Sequence, residues 1–300
     1  MKQKLVIATR GSKLALIQSE IVKQLLVAKF PGLVVEFLEV TTLGDTDQKT
    51  PLGSFGNTGV FVKGIEDKLI SGEADLAVHS LKDVPSEIHA DLLLAAFPER
   101  EDARDVLVTA QGINWRSLKP GRVMGTSSPA RQEQLKLLRP DLVYKDIRGN
   151  VETRVQKVLN EEYDATILAA AGLKRMGYKI ETESWFALDE MVPSPGQGAL
   201  VIQVRKNNPF VLEMVRQLND YKVEKQVMAE RVFMHEIGGG CRFPVAAHAE
   251  ITANGIIFRG IAFKPGFNKL KKIKIETTEN ELFEMARSEA KQIISKYNSK

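Results

Sequence analysis

One cysteine, one aspartate and five arginines stand where they could do chemistry in this chain of 300 residues. Cys241, the only cysteine, follows Gly238-Gly239-Gly240 and precedes Arg242-Phe243-Pro244. Glycine lacks a Cβ, so the backbone there can take positive φ and pass close to a ligand, and proline fixes the exit of the loop. A thiol on such a tip is presented rather than packed, and the neighbouring Arg242 favours thiolate, the nucleophilic form. The competing reading is a small hydrophobe beside a turn, since free cysteine is often buried. The local sequence leaves both open.

Arg10, Arg131, Arg148, Arg154 and Arg175 recur at strand ends and helix starts. The planar guanidinium fork binds both oxygens of a carboxylate or phosphate together. A single arginine is usually a solvated surface residue. Five at the ligand-side ends of two βα units point to a substrate with several anionic groups. Asp83 follows Lys82 beyond an apolar strand and precedes Val84-Pro85. It reads either as a turn-capping acid beside a lysine or as a fixed negative charge that stabilises a developing cation.

Other chemistries fail on spacing. There is no Gly-x-x-x-x-Gly-Lys-Ser/Thr, and no Gly-x-Gly-x-x-Gly between a strand and a helix. A cysteine acyl-transfer enzyme would need a histidine against Cys241. His79, His89, His235 and His248 each read as ordinary strand or helix residues. No spaced His/Cys/acid cluster suggests a metal, and one cysteine excludes an intramolecular disulfide framework or a Cys-rich zinc site.

The elements that must position these residues alternate. Residues 4–9 read as a strand, and Ser12 precedes the helical stripe Leu14, Ile17, Ile21, Leu25, which closes at Pro31-Gly32. Residues 33–41 read as a strand, 44–59 as a long polar loop of lid type, 60–70 as a helix, and 74–79 as an apolar strand ending at Ser80. This β-α-β-α-β order implies a mostly parallel sheet with ligands beyond the carboxyl ends of its strands, where Arg10, Ser12, Ser80, Lys82 and Asp83 fall. A second unit begins at Asp105. Its strand 122–125 runs into Thr126-Ser127-Ser128-Pro129, where a hydroxyl cap followed by proline is a strong helix start that attracts anions. Strand, small polar residues, arginine and helix occur at 4–25 and again at 122–138, a faint internal echo. Strands near 245–252, 256–263 and 271–277 with a final helix over 279–297 suggest a small α+β domain.

Hydrophobic content of 43% and charged content of 27% describe a soluble globular protein. The net charge of +4 is mild, and Lys269–Lys274 alternates with apolar residues like one face of a strand, so no nucleic-acid partner is expected. The apolar run at the amino terminus is too short for a signal peptide and no stretch reaches membrane-spanning length, so a cytoplasmic protein without a membrane partner is expected.

Eight blocks in order carry a resemblance over nearly the whole chain: Ile7–Ser12, His79–Pro85, Glu99–Asp105, Gly125–Ser128, Arg148–Arg154, Ala170–Arg175, Pro195–Gly198 and Gly239–Cys241. Together they resemble the porphobilinogen deaminase (hydroxymethylbilane synthase) family. The resemblance implies an α/β fold with two similar lobes of periplasmic-binding-protein type facing a cleft, plus a small α+β carboxy-terminal domain. The expected domains are residues 1–98 with 199–216, residues 104–192, and residues 220–300. It also implies a dipyrromethane cofactor attached to Cys241 through a thioether. The reaction it implies condenses four porphobilinogen molecules, each losing ammonia, and releases 1-hydroxymethylbilane by hydrolysis for haem and other tetrapyrroles. Asp83 matches the family's catalytic aspartate. Arg10, Ser12, Lys82, Ser128, Arg131, Arg148, Arg154, Arg175 and Gln197 match positions that hold cofactor or substrate, with Ser80, Thr126 and Ser127 as neighbouring candidates. The 44–59 loop matches a mobile segment, and a monomer is expected. Ala130 departs from the family, which usually carries two consecutive arginines after the Ser-Ser pair, and Asn57-Thr58-Gly59 lacks a lysine often present there. A two-lobed anion-binding protein that has lost turnover is the alternative that Ala130 supports; Asp83 and Cys241 argue against it.

Overall fold

The computed structural model describes residues 4–42, 62–238, 244–263 and 270–298. The 44–59 loop, Cys241 and the Pro265-Gly266 turn lie outside the described residues. In chain order the first elements are β1 (Lys4–Arg10), α1 (Lys13–Lys29), β2 (Val34–Val40), α2 (Lys63–Ile70), β3 (Leu76–Ser80) and β4 (Leu92–Ala96). Then come β5 (Asp105–Val108), β6 (Val123–Gly125), α3 (Pro129–Leu138), β7 (Val143–Lys145), α4 (Val151–Leu159), β8 (Ala165–Ala169) and α5 (Ala170–Arg175). The chain continues with β9 (Leu200–Arg205), α6 (Pro209–Arg216), α7 (Tyr221–Ile237), β10 (Val245–Thr252), β11 (Gly255–Ala262), β12 (Lys271–Thr277) and α8 (Leu282–Asn298). Two compact units result: residues 1–101 with 198–225, and residues 102–197 with 226–300.

The first unit is built on a five-stranded sheet in the order β2-β1-β3-β9-β4. β1 is parallel to β2 and β3, while β9 runs antiparallel to β3 and β4. Alternation along the strands sends side chains to two covered faces. Leu5, Ile7, Leu76, Val78, Ile202 and Val204 pack with Val22 and Leu26 of α1 and Val211 and Val215 of α6. Ala8, Val40 and Ala77 pack with Ile65 and Leu69 of α2. Burial on both faces explains why these strands read as apolar runs rather than alternating ones.

The second unit holds a four-stranded sheet in the order β5-β8-β6-β7. β6 is parallel to β7 and β8, and β5 runs antiparallel to β8. The faint echo in sequence is therefore a repeat of topology. In each sheet the first strand of the βαβ series is central, the second lies on one side and the third on the other. An antiparallel strand from a different pass of the chain, β9 or β5, closes the third. Gly125 ends β6 because nothing larger fits: a Cβ there would sit 2.9 Å from Tyr163 Cδ1 and 3.1 Å from Ile147.

The same unit carries the antiparallel sheet β10-β11-β12. Its inner residues Ala247, Ala249 and Phe258 pack with Phe233 of α7 and with Ala286, Ala290 and Ile293 of α8. Segment 187–197 is fastened to this sheet. Glu230, fully buried, accepts from Gly196 N at 2.7 Å and Ala249 N at 3.0 Å. Asp189 accepts from Arg259 Nε at 2.6 Å and Lys274 Nζ at 2.7 Å, and those two cations hold its carboxyl down at about 2.

Candidate functional site

Parallel strands end on the same edge, so the C-terminal residues of β1 and β3 fall side by side. Arg10 is the last residue of β1, and Ser12 caps α1, its side chain accepting from Ala15 N at 3.4 Å. Ser80 ends β3, and a single 3₁₀ turn, Leu81–Asp83, follows. The turn is pinned on both sides. Leu81 is fully buried and donates its N–H to Ala199 O at 3.0 Å; Val84 is buried and donates to Leu81 O at 3.1 Å. Between these anchors Lys82 and Asp83 are exposed. Two buried apolar residues thus fix the backbone that presents a charged pair.

Arg10, Ser12, Gln18, His79, Ser80 and Asp83 line one open pocket, floored by apolar residues of α1, α2 and β3. The structure so brings together four of the expected site residues within one unit. Gln18 and His79 are additions. Gln18 is buried on α1 and its Nε2 donates to Ser80 Oγ at 2.8 Å. A polar residue four positions from both Leu14 and Val22, on the buried stripe of an amphipathic helix, is the sequence signal that marks it. His79 is buried with Nε2 3.0 Å from Gln203 Oε1. Burial lowers its pKa to about 4, against the opposing effects of the Gln203 hydrogen bond and of Asp83.

In the second unit the expected residues line the carboxyl edge of β6, β7 and β8. Ser128 caps α3, accepting from Arg131 N at 3.4 Å. Ser127 Oγ donates to Ile147 O at 2.8 Å and accepts from Ile147 N at 3.0 Å, tying the end of β6 to the segment after β7. Thr126 is buried and its Oγ1 accepts from Ser128 N at 3.3 Å. Arg148 is half-buried just before Asn150, which caps α4 by accepting from Thr153 N at 2.9 Å. Arg154, one turn into that helix, donates Nε–H to Gly149 O at 2.8 Å. Arg175 closes α5, half-buried.

Arg131 and Gln197 are both joined to Asp105. Arg131 is buried and its fork grips Asp105, Nε to Oδ2 at 3.0 Å and Nη2 to Oδ1 at 2.7 Å. Gln197, fully buried, donates to Asp105 Oδ1 at 2.6 Å and Ala103 O at 2.7 Å and accepts from Arg131 at 3.1 Å. A paired buried charge of this kind is costly to break, because removing one partner strands the other. Arg131→Ala should therefore lower unfolding stability by about 3–5 kcal/mol, measured by chemical denaturation. Loss of activity with full stability would instead make Arg131 a ligand contact.

Among the described residues no cluster of three His, Cys, Asp or Glu side chains is placed to hold a metal, and no helix is long and apolar enough to cross a membrane.

The family model described as "Porphobilinogen deaminase, dipyromethane cofactor binding domain" matches residues 5–213, and "Porphobilinogen deaminase, C-terminal domain" matches residues 225–295. A porphobilinogen deaminase of Roseiflexus sp. is 43% identical over 261 residues, covering 87% of this chain and 86% of that protein. One from Sulfurimonas denitrificans is 45% identical over 257 residues, covering 85% and 82%. One from Clostridioides difficile is 38% identical over 299 residues, covering 98% of each. Two family models that together span most of the chain, and relatives of this identity along nearly its full length, lead to one conclusion: the chain belongs to the porphobilinogen deaminase family.

Proposed function

We propose that Asp83 is the catalytic carboxylate of this enzyme and that Arg10, Ser12, Ser80 and Lys82 hold the carboxylates of substrate and cofactor around it. Membership of the family makes the chain a transferase that builds hydroxymethylbilane from porphobilinogen on a dipyrromethane cofactor. The donor set of the pocket fits such a group. Guanidinium and hydroxyl donors suit acetate and propionate arms, and the one carboxylate suits pyrrole N–H groups. When bound, the dipyrromethane supplies the pyrrole carbon onto which new units are joined.

The protein's part is positioning and charge. Arg10 and the hydroxyls of Ser12 and Ser80 can anchor the acidic arms of the incoming pyrrole beside Asp83. As ammonia leaves porphobilinogen, positive charge develops on the methylene-pyrrole. A carboxylate fixed by a pinned turn stabilises that charge without having to reorganise. The observation that carries the reading is the turn itself: Leu81 and Val84 are buried on either side while Asp83 is held at the pocket. Arg148, Arg154 and Arg175 are proposed as further carboxylate partners, on the edge of the second sheet.

Cys241 is proposed as the point of covalent attachment, through a thioether. Three domains are proposed as well, one for each sheet, in a cytoplasmic monomer without nucleic-acid or membrane partners.

Arg10→Gln tests the division of labour. An anchoring arginine contributes to ground state and transition state alike, so its loss should raise KM for porphobilinogen by about tenfold or more, the scale of a hydrogen bond to a charged group, with a much smaller change in kcat. A fall in kcat at unchanged KM would move Arg10 from anchoring to catalysis.

A further inference from the structure

We infer that His79 is a positioning residue for Asp83: burial keeps its imidazole neutral, and an amide relay that runs through Gln203 to Glu66 sets its proton on Nε2. The inference rests on the reading of Asp83 as the catalytic carboxylate.

The relay follows from hydrogen-bond inventory. Glu66, in the first turn of α2, offers its Oε1 as an acceptor. Gln203 Nε2 donates to Glu66 Oε1 at 2.7 Å, which turns the amide so that its Oε1 faces His79. That oxygen can only accept, so His79 Nε2 must carry the proton, and Nδ1 is left without one. Gln203 is fully buried and His79 nearly so, so neither amide nor ring can exchange these partners for water. On the sheet, His79 pairs with Val201 and Gln203 with Ala77, which makes His79 and Gln203 diagonal neighbours on the face covered by α2.

The relay bears on Asp83 through charge. His79 lies in the same pocket, four residues before Asp83 and one before Ser80. Two charges act on the ring directly: Asp83 from the turn and Arg10 from the end of β1. Lys82 of the same turn is exposed. Glu66 of α2 faces the ring through Gln203, and Arg205 of β9 gives its guanidinium to the carbonyls of Leu69 and Ala74. A protonated His79 would add its charge to those of Arg10 and Lys82 around Asp83 and would compete with the cation that forms as ammonia leaves. Burial prevents that, and the uncharged Gln203 amide favours the extra proton less than a carboxylate would. A carboxylate in place of the Gln203 amide would invite the proton.

The test is Gln203→Glu, read in two ways. The His79 imidazole is followed by NMR titration, and kcat is measured against pH, for wild type, Gln203→Glu and the double variant His79→Gln/Gln203→Glu. The wild-type ring should stay neutral across the working range, and Gln203→Glu should raise its titration by about one to three units, the effect of an opposite charge in contact. In Gln203→Glu, kcat should fall on acidification over that same new window, on the order of tenfold for a cation added to the pocket that Asp83 lines. The double variant should lose that limb whatever its absolute rate. An unmoved imidazole overturns the relay. An imidazole that moves while kcat stays flat, or a limb that persists in the double variant, overturns the positioning role. An Asp83→Asn enzyme of nearly full rate overturns the reading of Asp83 and leaves the NMR result for the relay standing, so the two failures are distinguishable.

Discussion

Asp83→Asn should leave the fold in place and lower turnover by 10²–10³-fold or more, the scale of removing one preorganised electrostatic contact from a transition state. The fold is insulated because Asp83 is exposed and its turn is fixed by Leu81 and Val84. Asparagine keeps the volume and can still accept a hydrogen bond, but it loses the charge that balances the developing cation. Because that charge appears only as ammonia departs, kcat should fall far more than KM rises. Steady-state kinetics with porphobilinogen, with circular dichroism to confirm folding, measure both. If the variant keeps about half the wild-type rate, Asp83 is a turn residue and the pocket's chemistry lies elsewhere.

Asp83 was legible in sequence because its surroundings are local. An apolar strand, a charged pair and Val84-Pro85 suffice to place it beyond a strand end, and the 3₁₀ turn Leu81–Asp83 is that place. His79 was not legible in this way. It reads as one more strand residue until Gln203, 124 positions away, is brought against it. Arg131 and Gln197 stand out in sequence by their types and positions. What their donors reach, Asp105, is a residue that in sequence marks only the start of the second α/β unit.

The fold divides along the same line. The βαβ series at 4–40 and 123–145 could be read from helix stripes, caps and apolar strands, since each signal spans few residues. β4 carries no local signal: Leu92-Leu-Leu-Ala-Ala96 has no alternation, and its partner β9 lies about a hundred residues downstream. The equivalence of the two sheets shows in sequence only as an echo, because topology is set by which strands pair and not by residue identity. Ala130 is the position that the sequence reading sets apart from the family pattern. It is half-buried in the first turn of α3, where its carbonyl accepts from Gln134 Nε2 at 3.2 Å, and alanine offers a carboxylate no donor.

Cys241→Ser should abolish both the cofactor and the activity. Attack of a thiolate on the methylene carbon of a porphobilinogen unit forms a C–S bond as the C–N bond breaks and ammonia leaves. A serine hydroxyl stays protonated near neutral pH and is a far weaker nucleophile than a thiolate. If Cys241 is the attachment point proposed above, loss of the thioether leaves the growing chain no fixed end. The variant should fold and turn over no porphobilinogen above background.

The most direct measurement is the intact mass of the purified wild-type protein beside Cys241→Ser. The wild-type chain should exceed its sequence mass by two porphobilinogen units less two molecules of ammonia, and Cys241→Ser should match its sequence mass and be inactive. A wild-type chain that is unmodified and fully active would contradict the account.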